Sequence, residues 1–173
     1  MKARVTTECW SKVLFLILAG FFCVSFSFAQ PALPQRTLTV TPTQSIHFGT
    51  FCVTGGAGGT VTVGYEGGRT STGNIILLPI APIAQPAVFE IKLCQGRNVS
   101  ITFSASTTLT GSNGGSLILD IGPTEKGLTN AMFTTNRDCD FITPLRVGGT
   151  LHIPGTALSG TYSGSFFMTF NQE

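Results

Sequence analysis

Beyond its first thirty residues this chain keeps one periodicity: apolar and polar side chains alternate, and turn-forming residues interrupt the alternation every few positions. A period of two places successive side chains on opposite faces of a strand, whereas a helix needs apolar spacings of three and four. No run of about 10 to 12 residues shows that helical spacing outside the N-terminal segment. The clearest stretch is Val88-Phe89-Glu90-Ile91-Lys92-Leu93-Cys94, with Phe89, Ile91 and Leu93 inward and Glu90 and Lys92 outward. After Gln95-Gly96-Arg97 the segment Val99-Ser100-Ile101-Thr102-Phe103 repeats it, and the two read as a hairpin with one buried and one wet face.

Other segments follow the same rule. Thr37-Leu38-Thr39-Val40-Thr41 and Ile46-His47-Phe48 read as edge strands around Pro42, and Thr60 to Tyr65 places Val61, Val63 and Tyr65 on one face. Asn74 to Leu78 is a short apolar run that Pro79, Pro82 and Pro86 keep from extending. Ser112-Asn113-Gly114-Gly115 supplies positive-φ residues for a tight turn, after which Leu117, Leu119 and Ile121 share a face and Asp120 points away. Gly148-Gly149 predicts a bulge or bend between Leu145-Arg146-Val147 and Thr150-Leu151-His152-Ile153. The closing segment, with Tyr162, Gly164, Phe166, Met168 and Phe170 on one face, reads as a core strand, and residues 123–140 as the least regular part. With 21 Gly and charged residues at 10%, the expected fold is all-β: a single immunoglobulin-like antiparallel β-sandwich of about seven to nine strands over residues 37–173.

The N-terminus reads as an address. Lys2, Arg4 and Lys12 precede an apolar run over residues 13–28, and Ser27-Phe28-Ala29 has the small residues of a cleavage site, so residues 1–29 are expected to be a secretory signal peptide. A retained membrane span is disfavoured by that site and by the Pro-containing, weakly charged segment after it. Residues 30–36 form an extended leader with Pro31 and Pro34. Cleavage removes Lys2, Arg4, Lys12 and Glu8, which leaves 7 basic and 7 acidic residues and no net charge. That removes the argument for nucleic acid as a partner, and no transmembrane segment is expected after cleavage.

Cleavage also removes Cys9 and Cys23 and leaves Cys52, Cys94 and Cys139 in a compartment where disulfides persist. One bridge and one odd thiol are expected. Closing either the Cys52–Cys94 or the Cys94–Cys139 loop is worth about 4 kcal/mol by chain entropy, so energetics leaves the pairing open. These widely spaced Cys residues, with no Cys-x-x-Cys, make a poor zinc set, and no cofactor is expected.

Catalytic chemistry finds little material. His47 and His152 both sit inside strand patterns, where a solvent-facing or core histidine is the ordinary reading. There is no Gly-x-Ser-x-Gly elbow, and the glycines at 55–59 lack the Lys-Ser/Thr ending of a phosphate loop. Asn136-Arg137-Asp138-Cys139-Asp140 resembles the start of a calcium loop, but Phe141 stands where Gly is needed and Val147 where the bidentate Glu belongs. The expectation is a protein that is not an enzyme.

A family likeness is carried by Leu38-Thr39-Val40, Phe48-Gly49-Thr50-Phe51, Val61-Thr62-Val63, Val147-Gly148-Gly149-Thr150-Leu151, and the closing Gly160-Thr161-Tyr162-Ser163-Gly164-Ser165-Phe166 through Phe170-Asn171. These resemble the bacterial secreted domain of unknown function 4402 across the mature chain. A looser likeness is to fimbrial and spore-coat-type secreted sandwiches, in which an early-strand Cys bridges to one ending a Phe-x-Ile-x-Leu strand. That likeness implies a Cys52–Cys94 bridge with Cys139 left over; the sequence departs from the pattern in the extra Cys139 and in closing on Asn171-Gln172-Glu173 rather than on an aromatic strand residue, and its leader lacks the long alternating apolar stretch that would donate a strand to a neighbour. The resemblance implies an exported, non-enzymatic structural or adhesive cell-envelope protein, including a fimbria-like subunit. Its partners would be itself or other envelope proteins, and its place the periplasm, the cell surface or the medium. Subunits would be joined by edge-strand pairing or surface patches. The alternative is a secreted carbohydrate- or protein-binding module using Tyr65 and the loops at 66–72 and 123–140.

Overall fold

The computed structural model describes residues 37–94 and 96–173. The expected signal peptide and leader, residues 1–36, lie outside the described residues. No helix among the described residues is long and apolar enough to cross a membrane.

The described chain is all-β and antiparallel. Its strands are β1 (Thr39–Gln44), β2 (Thr50–Val53), β3 (Gly59–Val63), β4 (Arg69–Gly73), β5 (Ile75–Leu78), β6 (Ala87–Lys92) and β7 (Asn98–Phe103), then β8 (Ser106–Gly111), β9 (Ser116–Thr124), β10 (Met132–Thr134), β11 (Thr143–Ile153), β12 (Tyr162–Ser163) and β13 (Met168–Gln172). An eight-stranded sheet runs β1-β6-β11-β9-β8-β12, with β3 also paired to β11 and β4 to β3. A three-stranded sheet, β10-β7-β13, and a two-stranded sheet, β2-β5, complete the set. Inward residues of all three sheets form one cluster: Ile91, Leu145 and Leu151 from the large sheet, Val99 and Ile101 from β7, and Ile75 from β5. Phe89 of β6 meets Phe170 of β13 with ring centroids 5.7 Å apart, so the sheets face one another across a sandwich-like core.

Thirteen strands exceed the expected seven to nine because several segments divide. The span 66–72, expected as a loop, is a tight turn, closed by Gly64 N–H to Gly68 C=O at 2.8 Å, followed by β4. The closing segment divides into β12 on the large sheet and β13 on the three-stranded one. Conversely, the two segments flanking Gly148-Gly149 are one long strand, β11, whose register against β9 shifts between Val147 and Gly149.

The expected β6–β7 hairpin is not formed. β6 pairs with β1 and β11 while β7 pairs with β10 and β13, so the chain crosses from one sheet to the other at Gly96, which has φ +61°. Alternation was satisfied either way, because both strands bury one face against the same core. Thr135 secures the corner, its buried hydroxyl lying 3.2 Å and 3.0 Å from the carbonyls of Leu93 and Arg97.

The disulfide implied by the fimbrial likeness is also corrected. Cys94 is bonded to Cys139, and Cys52 is a free, exposed thiol. Strand alternation supplies the reason: β2 turns Phe51 and Val53 toward the core, which forces Cys52 between them onto the outer face. Cys94 follows the buried Leu93 at the end of β6, beside the loop that carries Cys139.

Candidate functional site

Hydrogen-bond direction alternates along β2 as side chains do. Thr54 donates its N–H to Asn74 C=O at 2.8 Å, and Cys52 is registered with Ile76 and Thr50 with Leu78, so the backbone groups of residues 50, 52 and 54 face β5. Those of Phe51 and Val53 face the other way, along an edge that no described strand pairs. An open edge offers donors and acceptors to any extended segment laid beside it.

That edge borders a cleft of about 1260 Å³. Its floor is the inward face of β8, β9 and β11, where Leu109, Leu117, Leu119, Leu151 and Ile153 are buried. One wall is β2 with the segment before it. The other is the irregular chain 155–166, fixed by Asn113 Nδ2 donating to Ser159 C=O (2.7 Å), Tyr162 Oη to Leu158 C=O (2.7 Å) and Thr107 Oγ1 to Ser165 C=O (3.0 Å). Among the described residues no Asp, Glu, Lys or Arg lines the cleft. The buried leucines share the lining with His47 and with the hydroxyl residues Thr50, Thr54, Ser159 and Thr161, so the cleft suits a guest that carries both apolar and hydrogen-bonding groups and has no side chain of full opposite charge to offer an ion. It exceeds the roughly 300–1,000 Å³ of ordinary small-molecule sites and suits a longer guest.

Of the residues singled out from sequence, His47 and Cys52 border the cleft and the others are scattered over the surface. His47 lies between β1 and β2 and accepts Gly49 N–H on Nδ1 at 3.2 Å, lending its side chain to a local turn. His152, on the outer face of β11, has Nε2 2.7 Å from Asp120 Oδ2. Tyr65 lies just past β3, where Glu66 raises its phenol above the ordinary tyrosine value, first as a hydrogen-bond acceptor and then by its charge. In the loop at 136–140, Asn136 Oδ1 accepts Asp138 N–H (2.9 Å) and Asp138 Oδ1 accepts Asp140 N–H (3.0 Å). The oxygens thus serve their own backbone. Among the described residues no group of three His, Cys, Asp or Glu is placed to hold a metal ion.

The cleft escaped the sequence reading because its makers are ordinary core leucines and a four-residue strand. The one available signal was Phe51 and Val53 flanking a Cys in so short a run.

No curated protein and no solved structure matches the chain. The family model described as Domain of unknown function (DUF4402) matches residues 38–171, and the chain belongs to that family.

Proposed function

We propose that this is an exported, non-enzymatic structural or adhesive protein of a bacterial cell envelope, joined to other envelope chains in a fimbria-like assembly. The observation that carries the reading is the leucine-floored cleft, lined by no Asp, Glu, Lys or Arg among the described residues and flanked by the open edge of β2. An extended segment of a partner chain lying there would exchange backbone hydrogen bonds with Phe51 and Val53 and set alternate apolar side chains over Leu117, Leu119 and Leu151. Main-chain pairing then supplies affinity and the pockets supply selectivity. Export is supported by the signal-peptide pattern of residues 1–29 and by the Cys94–Cys139 disulfide, a bond that persists in oxidising compartments.

Immunogold electron microscopy of intact producing cells, with antibody raised against the mature chain, tests the reading. Label on the surface or along filaments is expected. Label confined inside the envelope, or protein found only in the medium, contradicts it. Val53→Pro sharpens the experiment: it deletes the outward N–H while leaving the β2–β5 ladder intact, so a folded variant should fail to enter the surface assembly.

A further inference from the structure

The β2–β5 sheet is an unusual wall. It has two strands of four residues each, and among the described residues no strand of another sheet pairs with it, although Ser71 of β4 donates its hydroxyl to Ile75 C=O at 3.2 Å. Two-stranded sheets are marginal on their own, so something besides backbone pairing must fix its position. Part of that is packing, since Phe51, Val53, Ile75 and Leu77 rest on the core. Packing resists lifting but directs a sliding strand weakly.

Arg69, the first residue of β4, reaches across to that sheet. Its Nη1 donates to Phe48 C=O (3.0 Å) and stands 3.4 Å from Thr50 C=O, and its Nη2 donates to Leu78 C=O (3.0 Å). Thr50 and Leu78 face each other in the register, so one planar fork holds the start of β2 and the end of β5 together. Among the described residues no carboxylate pairs with this guanidinium. Room for it is made by Gly49, at φ +70°, where a Cβ would collide with Nη1.

We infer that Arg69 is the positioning residue of the cleft: it straps the β2–β5 wall to the large sheet and so holds the outward backbone groups of Phe51 and Val53 in line to receive a partner strand. This rests on the strand-acceptor reading above. Arg69 touches no guest and acts only through β2. A lysine cannot replace it, because an unforked ammonium cannot serve both ends of the ladder.

Amide hydrogen exchange on the mature chain, combined with surface incorporation in producing cells, tests the inference. In Arg69→Leu the amides of Cys52, facing β5, and of Thr54, bonded to Asn74 C=O just before it, should exchange about tenfold faster or more, as loss of charge-assisted hydrogen bonds implies, with β9 and β11 amides within about twofold of wild type. Incorporation into the surface assembly should fall at least about tenfold, with Arg69→Lys rescuing little of either loss. Arg69→Lys, which keeps the charge and most of the stem without the fork, should loosen the same amides and decides the matter if Arg69→Leu does not fold. Wild-type exchange at Cys52 and Thr54 in a folded variant overturns the strap. Loosened β2 amides with undiminished incorporation overturn the positioning role. Failure of the strand-acceptor reading is seen separately: Val53→Pro would then incorporate at the wild-type level, whatever exchange shows at Arg69.

Discussion

β11 and β2 obey the same alternation rule and end in opposite situations. β11 is paired along both sides, to β6 and then β3 on one edge and to β9 on the other, and its inward Leu145, Val147, Leu151 and Ile153 are at most 3% exposed. β2 has one partner, one open edge, half-buried inward side chains and an arginine from another sheet for support. Alternation decides which side chains go in, and pairing decides how firmly the strand is held. A strand satisfied on both edges is over-determined, while one left open is locally mobile and available to a partner.

The sharpest way to break this comparison is to truncate each strand in turn. Leu145→Ala, at a fully buried site, should cost about 2–5 kcal/mol in urea unfolding, and Val53→Ala distinctly less because the site is already part-solvated. Equal losses would mean that β2 is as integral as β11. A comparable loss of about 2–5 kcal/mol is expected for Cys94→Ser or Cys139→Ser, which reopens a loop with sequence separation 45, whereas Cys52→Ser should stay within about 0.5 kcal/mol. Unfolding curves with and without reductant check both.

Glycines sharpen the same contrast at smaller scale. At Gly148 in β11 a Cβ would stand 2.6 Å from Val63 C=O, which is backbone and cannot yield cheaply, so Gly148→Ala should cost about 1–3 kcal/mol. Gly56, in the loop after β2, has open space and no positive φ, and Gly56→Ala should be neutral or stabilise by up to about 1 kcal/mol. Smallest is the Asp120–His152 pair on the outer face, its side chains 52% and 45% exposed. Asp120→Asn should change stability by no more than about 1 kcal/mol in urea unfolding.

Much of the fold was legible from alternation and turn chemistry. Ile91 and Leu93, Val99 and Ile101, and Leu117 and Leu119 are buried where their spacing put them, the turn at 112–115 joins β8 to β9, and the glycine pair in β11 marks a register shift. Neighbours were not legible. A period of two tells a strand which face to bury and is silent on which strand lies beside it, so the β6–β7 crossing and the division between β12 and β13 escaped. The disulfide failed for a related reason: Cys connectivity is a three-dimensional fact, and the alternation that sends Cys52 outward was visible but outweighed by a family pattern. Arg69 was invisible because its partners are main-chain carbonyls, which carry no residue signature.

The open edge of β2 is a strand acceptor only if a partner segment pairs it. Hydrogen exchange at Phe51 and Val53 should therefore be compared between the purified chain and the chain recovered from the envelope fraction of producing cells. Fast exchange in the purified chain and strong protection in the envelope-recovered one, with Cys52 and Thr54 little changed, is the predicted result. Equal exchange at Phe51 and Val53 in both forms would contradict the claim that this edge receives a partner strand.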